Sequence, residues 1–289
     1  MNNATKLILA AAVVAFGAGG ANAIPAFAVQ TGQPCSSCHI GGFGPQLTPF
    51  GRQFKLEGYT LRAGDAFTAP VSAMAVTSYL HTSADQSSPP APHYGTNDNV
   101  TIDQVGLFIA GGISDNFGGF SQWTYDGVGR AFAWDNLDLR AIDHETLAGS
   151  DVLLGLSLNN SPGVQDSWNT LAAWGFPYTS SDLAPAPAAG TLMDGALAQS
   201  VLGISAYAYW DSSIYTEVGL YWTPSRWFLR SVGVDPADSG IVAGVAPYVR
   251  VAYQKDYGDQ NFEVGAFVLF TNLYPGGDMT TGTNDRYSK

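Results

Sequence analysis

From about residue 68 onward the chain alternates apolar and polar residues with a period of two, the signature of strands that bury one face. Ile204, Ala206, Ala208 and Trp210 alternate with Ser205, Tyr207, Tyr209 and Asp211, and Thr216, Val218, Leu220 and Trp222 with Glu217, Gly219, Tyr221 and Thr223. Leu154, Leu156 and Leu158 alternate with Gly155, Ser157 and Asn159, and Val105, Leu107 and Ile109 with Gln104, Gly106 and Phe108. Nine such segments are predicted, near 70–81, 101–112, 117–126, 130–142, 151–160, 200–211, 214–223, 241–256 and 261–272. They run 10–16 residues, enough for a tilted strand to cross a bilayer.

Composition decides what kind of β protein this is. The 289 residues carry 12 basic and 24 acidic side chains, so only 12% are charged, against about 25% in an ordinary soluble domain. Glycine is abundant (34 residues) and 12% of the chain is aromatic. High aromatic content with few charges excludes a disordered chain, and the acidic balance offers no basic patch for nucleic acid. Past the N-terminus no apolar run approaches the ~18 residues of a spanning helix. A transmembrane β-barrel satisfies all of these constraints.

The connections support it. Some are tight, as at Ser114-Asp115-Asn116 and Asp126-Gly127, while 82–99 and 161–199 are long and polar. Short turns on one side and long loops on the other is the barrel pattern. Tyr79, Trp123, Trp134, Trp210, Trp222, Tyr253 and Tyr274 fall near strand ends, where interfacial girdles lie. The alternative is an exported β-sandwich or lipocalin-like barrel with the apolar face turned inward. Nine strands are an odd number for a single-chain barrel, and Asn284–Lys289 reads as the opening of a tenth, so the barrel is expected to be incomplete in this chain, truncated at its C-terminus.

The first 23 residues read as a secretion signal: Lys6, an apolar stretch from Leu7 to Gly20, and an A-x-A site at Ala21-Asn22-Ala23. Removing them takes away Lys6 alone, so the formal charge goes from −12 to −13. Residues 24–66 form a small unit, irregular and Gly-rich through Gly44-Pro45. One helix is then predicted, with Thr48 as N-cap, Pro49 in first position and Gly58 past the end. Leu47, Phe50 and Phe54 make its apolar stripe, and Arg52 and Lys55 lie off it. About forty residues cannot hold a core unaided, so the unit needs a cofactor or the rest of the chain, residues 67–289.

The two cysteines of the chain stand in Cys35-Ser36-Ser37-Cys38-His39. C-x-x-C-H is the attachment site of a c-type haem: two thiols for thioether bonds, and a histidine for the iron. A thioredoxin-type dithiol would need a βαβ setting, and a zinc site would need a second ligand pair. The expected cofactor is therefore one covalent haem c, held by Cys35, Cys38 and His39. Met74, where the first strand opens, is the expected sixth ligand of the iron, with His81 on the opposite face of the same strand as runner-up. His93 and His144 read as solvated side chains. Arg52 and Lys55 are candidates to pair with the haem propionates, against a plain solvated helix face.

The signal, the early C-x-x-C-H, the segment from Leu47 to Leu61 (LTPFGRQFKLEGYTL) and the β-rich remainder resemble the outer-membrane fused cytochrome–porins, whose best-known members oxidise extracellular ferrous iron. The resemblance is specific only over about residues 24–65. It implies a single-haem unit plugging a barrel, with lipids of the bacterial outer membrane around it. It further implies electron transfer between an external donor, ferrous iron among them, and periplasmic electron carriers. The family's barrels are longer than this chain can make. The fold expected is thus mainly β: an antiparallel transmembrane β-barrel with a small N-terminal c-type haem unit. The rival readings are a plain porin with a small disulfide, and a soluble periplasmic cytochrome with a β-domain.

Overall fold

The computed structural model of the protein describes residues 25–42, 46–64, 69–169, 181–185, 197–235, 241–258, 260–274 and 285–288. The expected signal sequence, Met193 and Met279 lie outside the described residues. The strands are β1 Val71–Leu80, β2 Asn99–Gly112, β3 Phe117–Asp126, β4 Ala131–Leu147, β5 Ser150–Asn159, β6 Leu202–Trp210, β7 Ile214–Trp222, β8 Ile241–Val242, β9 Ala246–Tyr257, β10 Gln260–Tyr274 and β11 Asp285–Ser288. They form one antiparallel sheet in the order β1-β2-β3-β4-β5-β6-β7-β9-β10-β11, with β8 paired to the end of β10. Among the described residues β1 pairs only with β2, so the sheet is open and not closed into a barrel. The predicted segment at 241–256 splits in two around Gly244, which has a φ of 78°.

The alternation is present in the strands, and the face left exposed is apolar. Leu107, Ile109, Leu156, Ile204, Val218, Val251 and Val264 are exposed on one face. Their neighbours on the other face, among them Ser157, Ser205, Tyr207, Tyr215, Glu217, Arg250 and Gln254, are buried. Glycine serves the buried face. Gly155 pairs with Tyr207 and Gly203 with Tyr221 across the strands. A Cβ at either glycine would come within 2.0–2.1 Å of the tyrosine ring, so the ring lies flat on bare backbone. Among the described residues no helix is long and apolar enough to cross a membrane.

Buried polar side chains need partners, and some of these come from the N-terminal unit. Among the described residues it holds three α-helices: α1 Pro25–Thr31, α2 Cys35–Cys38 and α3 Pro49–Leu56. α3 begins and ends as the sequence predicts. Thr48 accepts the Gly51 N–H at 3.2 Å, Pro49 opens the helix, and Gly58 leaves it with a φ of 64°. α1, in the stretch expected to be irregular, is set by tertiary contacts instead. Phe27 stacks on Tyr59 at 5.3 Å and meets Phe54 edge-on at 4.9 Å, while the Gln30 amide donates to the carbonyls of Tyr59 and Leu61. Seven residues are too few to show a helical period.

The sheet curls around α3. On one flank Phe54 joins Phe108 and Phe120, from β2 and β3, in an aromatic cluster. On the other Arg52 reaches Asn261 of β10. Between them Leu56 packs with Ile142, Leu153, Tyr207, Tyr215 and Ala252 of five further strands. The polar contacts are as close. The hydroxyl of Tyr207 donates to the Leu56 carbonyl at 2.6 Å, and that of Tyr59 donates to Asp138 at 2.6 Å. Asp138 also accepts from Arg140 Nε at 2.8 Å and from Ser157 at 2.9 Å. Removing one partner from a buried charged cluster of this kind costs about 3–5 kcal/mol.

The unit meets the rim formed by the short connections β2–β3, β4–β5, β6–β7 and β9–β10, since Gln30 accepts from the Gly112 N–H and Glu57 bonds His144. The long connections β1–β2, β5–β6 and β7–β9 lie at the opposite rim. Asp126-Gly127, expected among the tight turns of one side, belongs to the long-connection rim because it is one strand removed from the β2–β3 turn. Trp134, expected in an exposed girdle, is buried against Phe228 of a fourth helix, α4 Arg226–Ser231.

Candidate functional site

Cys35 and Cys38 occupy one helical turn, α2, which places both sulfurs on one side of the backbone. Both are half-buried thiols. The chain then leaves the helix at His39, whose φ of −118° is extended, and the His39 N–H donates to the Cys35 carbonyl at 2.9 Å. Pairing continues as a short bridge: His39 opposes Leu47, and the Ile40 N–H donates to Gln46. Thr48 N–H closes on the Cys38 carbonyl at 2.9 Å, and the Thr48 hydroxyl donates to the Ser37 carbonyl. The cysteine turn is thus bolted to the start of α3.

That closeness rests on Gly51, where a Cβ would sit 2.2 Å from the Cys38 carbonyl oxygen. Gly51→Ala should therefore push α3 off the cysteine turn, costing about 1–3 kcal/mol as an overpacked contact does. A fall in melting temperature, or protein that no longer assembles, is the expected readout; unchanged stability would contradict the close approach.

Burial, and then the neighbouring Cys35, push the Cys38 thiol up from its ordinary value. Two thiols on one turn, half-buried, with an imidazole on the next residue held by a backbone bridge, fit the donor set of a covalently attached haem. Among the described residues no group of three or more His, Cys, Asp or Glu is arranged to hold a metal ion.

Arg52 and Lys55 do not form a solvated face; both are buried. The Arg52 guanidinium lies 2.7 Å from Asp256, bonds Asn261 and stacks 4.1 Å above the Trp168 ring. The Lys55 ammonium donates to the Asp166 carbonyl at 2.8 Å and to Asn169 at 2.7 Å. Both cations are turned toward the sheet and the β5–β6 connection, which leaves the propionate role without geometric support.

Sequence reasoning missed that connection. Its residues 166–169 fold back from the long-connection rim onto the N-terminal unit. Trp168 accepts the Leu47 N–H through its carbonyl at 3.0 Å and donates its indole N–H to Gln254 at 2.7 Å. Asp166 pairs with Arg250 at 3.1 Å, and Arg250 with Glu263 at 3.0 Å. No periodicity marks such a segment, and a loop rich in Asn, Asp and Ser reads as solvent-exposed.

Burial, and then Arg140, lower the Lys55 pKa from 10.5 to about 7. The folded protein therefore releases this proton about three units before the unfolded chain does. Between pH 7 and 10.5 the unfolded state binds the extra proton, so this residue's contribution makes stability rise with pH across that window. Lys55→Met should flatten the rise in melting temperature between pH 7 and 10. An identical pH profile in the variant would contradict the assignment.

Met74 and His81 separate as the alternation predicts. Met74 lies on the inner side of β1, packed against the cluster of Phe54, Tyr59, Phe108 and Phe120. His81 is 61% exposed, and its Nδ1 lies 2.9 Å from Asp98. His93 sits in the β1–β2 connection with a φ of 73°. His144 is only half-exposed, with Nε2 2.8 Å from the Glu57 carboxylate, so it ties β4 to the N-terminal unit.

Comparison with protein-family models, with curated proteins and with solved structures finds no match to this chain.

Proposed function

We propose that in the outer membrane of a bacterium the chain carries one haem c, which Cys35 and Cys38 would hold covalently and whose iron His39 would bind. There it would pass single electrons between an extracellular donor and periplasmic carriers. The supporting observation is the placement of the C-x-x-C-H turn. It is half-buried in a helical unit that packs on the inner side of β2 to β7, β9 and β10, and exposed apolar side chains line the outward side of those strands. When bound, the haem supplies the one-electron chemistry. The chain's own residues do the rest. The Leu47 bridge holds the His39 backbone, and Thr48 holds the Cys38 carbonyl. Trp168, Arg52 and Lys55 fill the space between the helices and the wall, which keeps bulk water from the unit. Ferrous iron is the donor that the family resemblance implies.

Met74 would be the second residue to bind the iron; in support, it lies on the side of β1 that faces the helices, whereas His81 is exposed. A thioether favours ferrous iron and raises the potential. Met74→Leu should remove the sulfur-to-iron charge-transfer band of the oxidised protein and lower its potential. An unchanged spectrum in that variant, with loss of low-spin character in His81→Ala, would assign the ligand to His81.

The reading as a whole is tested by extracting the protein from purified outer membranes and recording its reduced optical spectrum. A c-type α-band that persists after acid–acetone extraction of free haem is expected. A colourless protein, or one recovered only from the soluble periplasm, would contradict it.

A further inference from the structure

Residues 46–48 are paired on both sides. On one side stands the cysteine turn: the Ile40 N–H donates to the Gln46 carbonyl at 3.0 Å, the Thr48 N–H to the Cys38 carbonyl at 2.9 Å, and His39 opposes Leu47 between them. On the other side the Leu47 N–H donates to the Trp168 carbonyl at 3.0 Å. Leu47 is buried, so an amide deprived of that acceptor would be left unsatisfied away from water. The backbone of His39 is therefore placed, through one intervening segment, by a peptide of the β5–β6 connection.

That peptide is itself fixed by the wall and by α3. The Trp168 indole N–H donates to Gln254 of β9 at 2.7 Å, and Gln254 in turn donates to the Tyr209 hydroxyl of β6. The Arg52 guanidinium lies 4.1 Å above the Trp168 ring. The Trp168 N–H donates to the Asp166 carboxylate at 3.1 Å, and that carboxylate pairs with Arg250 of β9 at 3.1 Å. Lys55 holds the same segment from the helix side, through the Asp166 carbonyl and the Asn169 side chain. Asp166, Ser167 and Asn169 are all buried. A polar network so fully enclosed rigidifies the segment that carries it.

From this chain of contacts we propose that Trp168 is a positioning residue for His39. It holds the Leu47 peptide, and the Leu47 peptide holds the backbone from which the imidazole projects. Groups that touch a ligand without touching the metal orient that ligand and tune the metal. The β5–β6 connection would thus set, from the wall, how firmly His39 is presented to the iron, and with it the potential. This rests on the haem reading above.

Full-length holoprotein in detergent would be compared as wild type, Trp168→Ala, Trp168→Phe and Gln254→Leu. The readouts are the spectrum of the oxidised haem, its midpoint potential and hydrogen–deuterium exchange over residues 39–48. With haem held covalently, Trp168→Ala should keep its colour, gain a high-spin fraction and shift in potential. Its Ile40 and Leu47 amides should exchange about three- to tenfold faster, the worth of one net hydrogen bond. Trp168→Phe, whose ring can still lie against Arg52, should recover most of the change. Gln254→Leu removes only the acceptor of the indole, so it should move the same readouts in the same sense by less. It carries the test if Trp168→Ala does not assemble, and unmoved readouts there overturn the proposal. Coloured Trp168→Ala protein with an unmoved spectrum and potential overturns this proposal alone, whatever its exchange. A colourless wild type overturns the haem reading and this proposal with it.

Discussion

On the proposed membrane reading, Leu156→Arg should abolish assembly of the protein in the outer membrane, and Val218→Arg should do the same. Leu156 is 55% exposed and Val218 59%, on the face turned away from the N-terminal helices. Bathed in water, a half-exposed Leu on a sheet surface tolerates Arg within about 0.5 kcal/mol, as other surface changes do. Against lipid the same substitution costs about 2–4 kcal/mol near the midplane of the bilayer. Marginal stabilities make the second figure decisive for folding yield. Heat-modifiable migration of the outer-membrane fraction on a gel reads the outcome. Loss of the folded band in both variants is expected. Wild-type levels of folded, soluble protein in both would return the fold to the class of water-exposed sheets.

Combined Cys35→Ala and Cys38→Ala should remove haem peroxidase staining entirely after denaturing electrophoresis, because thioether bonds survive boiling and axial ligation does not. The effect reaches stability as well. The N-terminal unit is about forty residues, too small for a core of its own, and it depends on Phe54, Leu56 and Tyr59 being clasped by the sheet. If haem is part of its interior, the double variant should also lose protease resistance around residues 24–64. A stain that persists in the double variant, or one that boiling removes from the wild type, would contradict covalent attachment.

Much of the fold was legible because a period of two survives single-residue errors. Leu154, Leu156, Ile204 and Val218 alternate so regularly with Gly155, Ser157, Ser205 and Glu217 that strand and face follow together. The cap at Thr48 and the turn at Gly58 were equally plain, being local chemistry. What hid from the sequence was every feature decided at long range. Arg52 and Lys55 look like solvent-facing residues of a short helix. They are buried because Asp256, Asn261 and residues 166–169, more than a hundred positions away, come to meet them. Trp134 reads as a girdle residue and becomes core because α4 folds back on it. The C-x-x-C-H motif stands out in the sequence, whereas its bolting to α3 through Gly51 does not: a lone glycine in a helix reads only as a weak point.

The central claim is that a single haem-bearing unit set in a membrane wall carries electrons across it. Its most direct test places the purified holoprotein in sealed vesicles that trap an oxidised c-type cytochrome, with a membrane-impermeant reductant of suitable potential added outside. The account predicts reduction of the trapped cytochrome at a rate that scales with haem-loaded protein and is absent with the Cys35→Ala, Cys38→Ala variant. Reduction no faster than in protein-free vesicles, from a protein whose haem is itself reduced by the external donor, would contradict it.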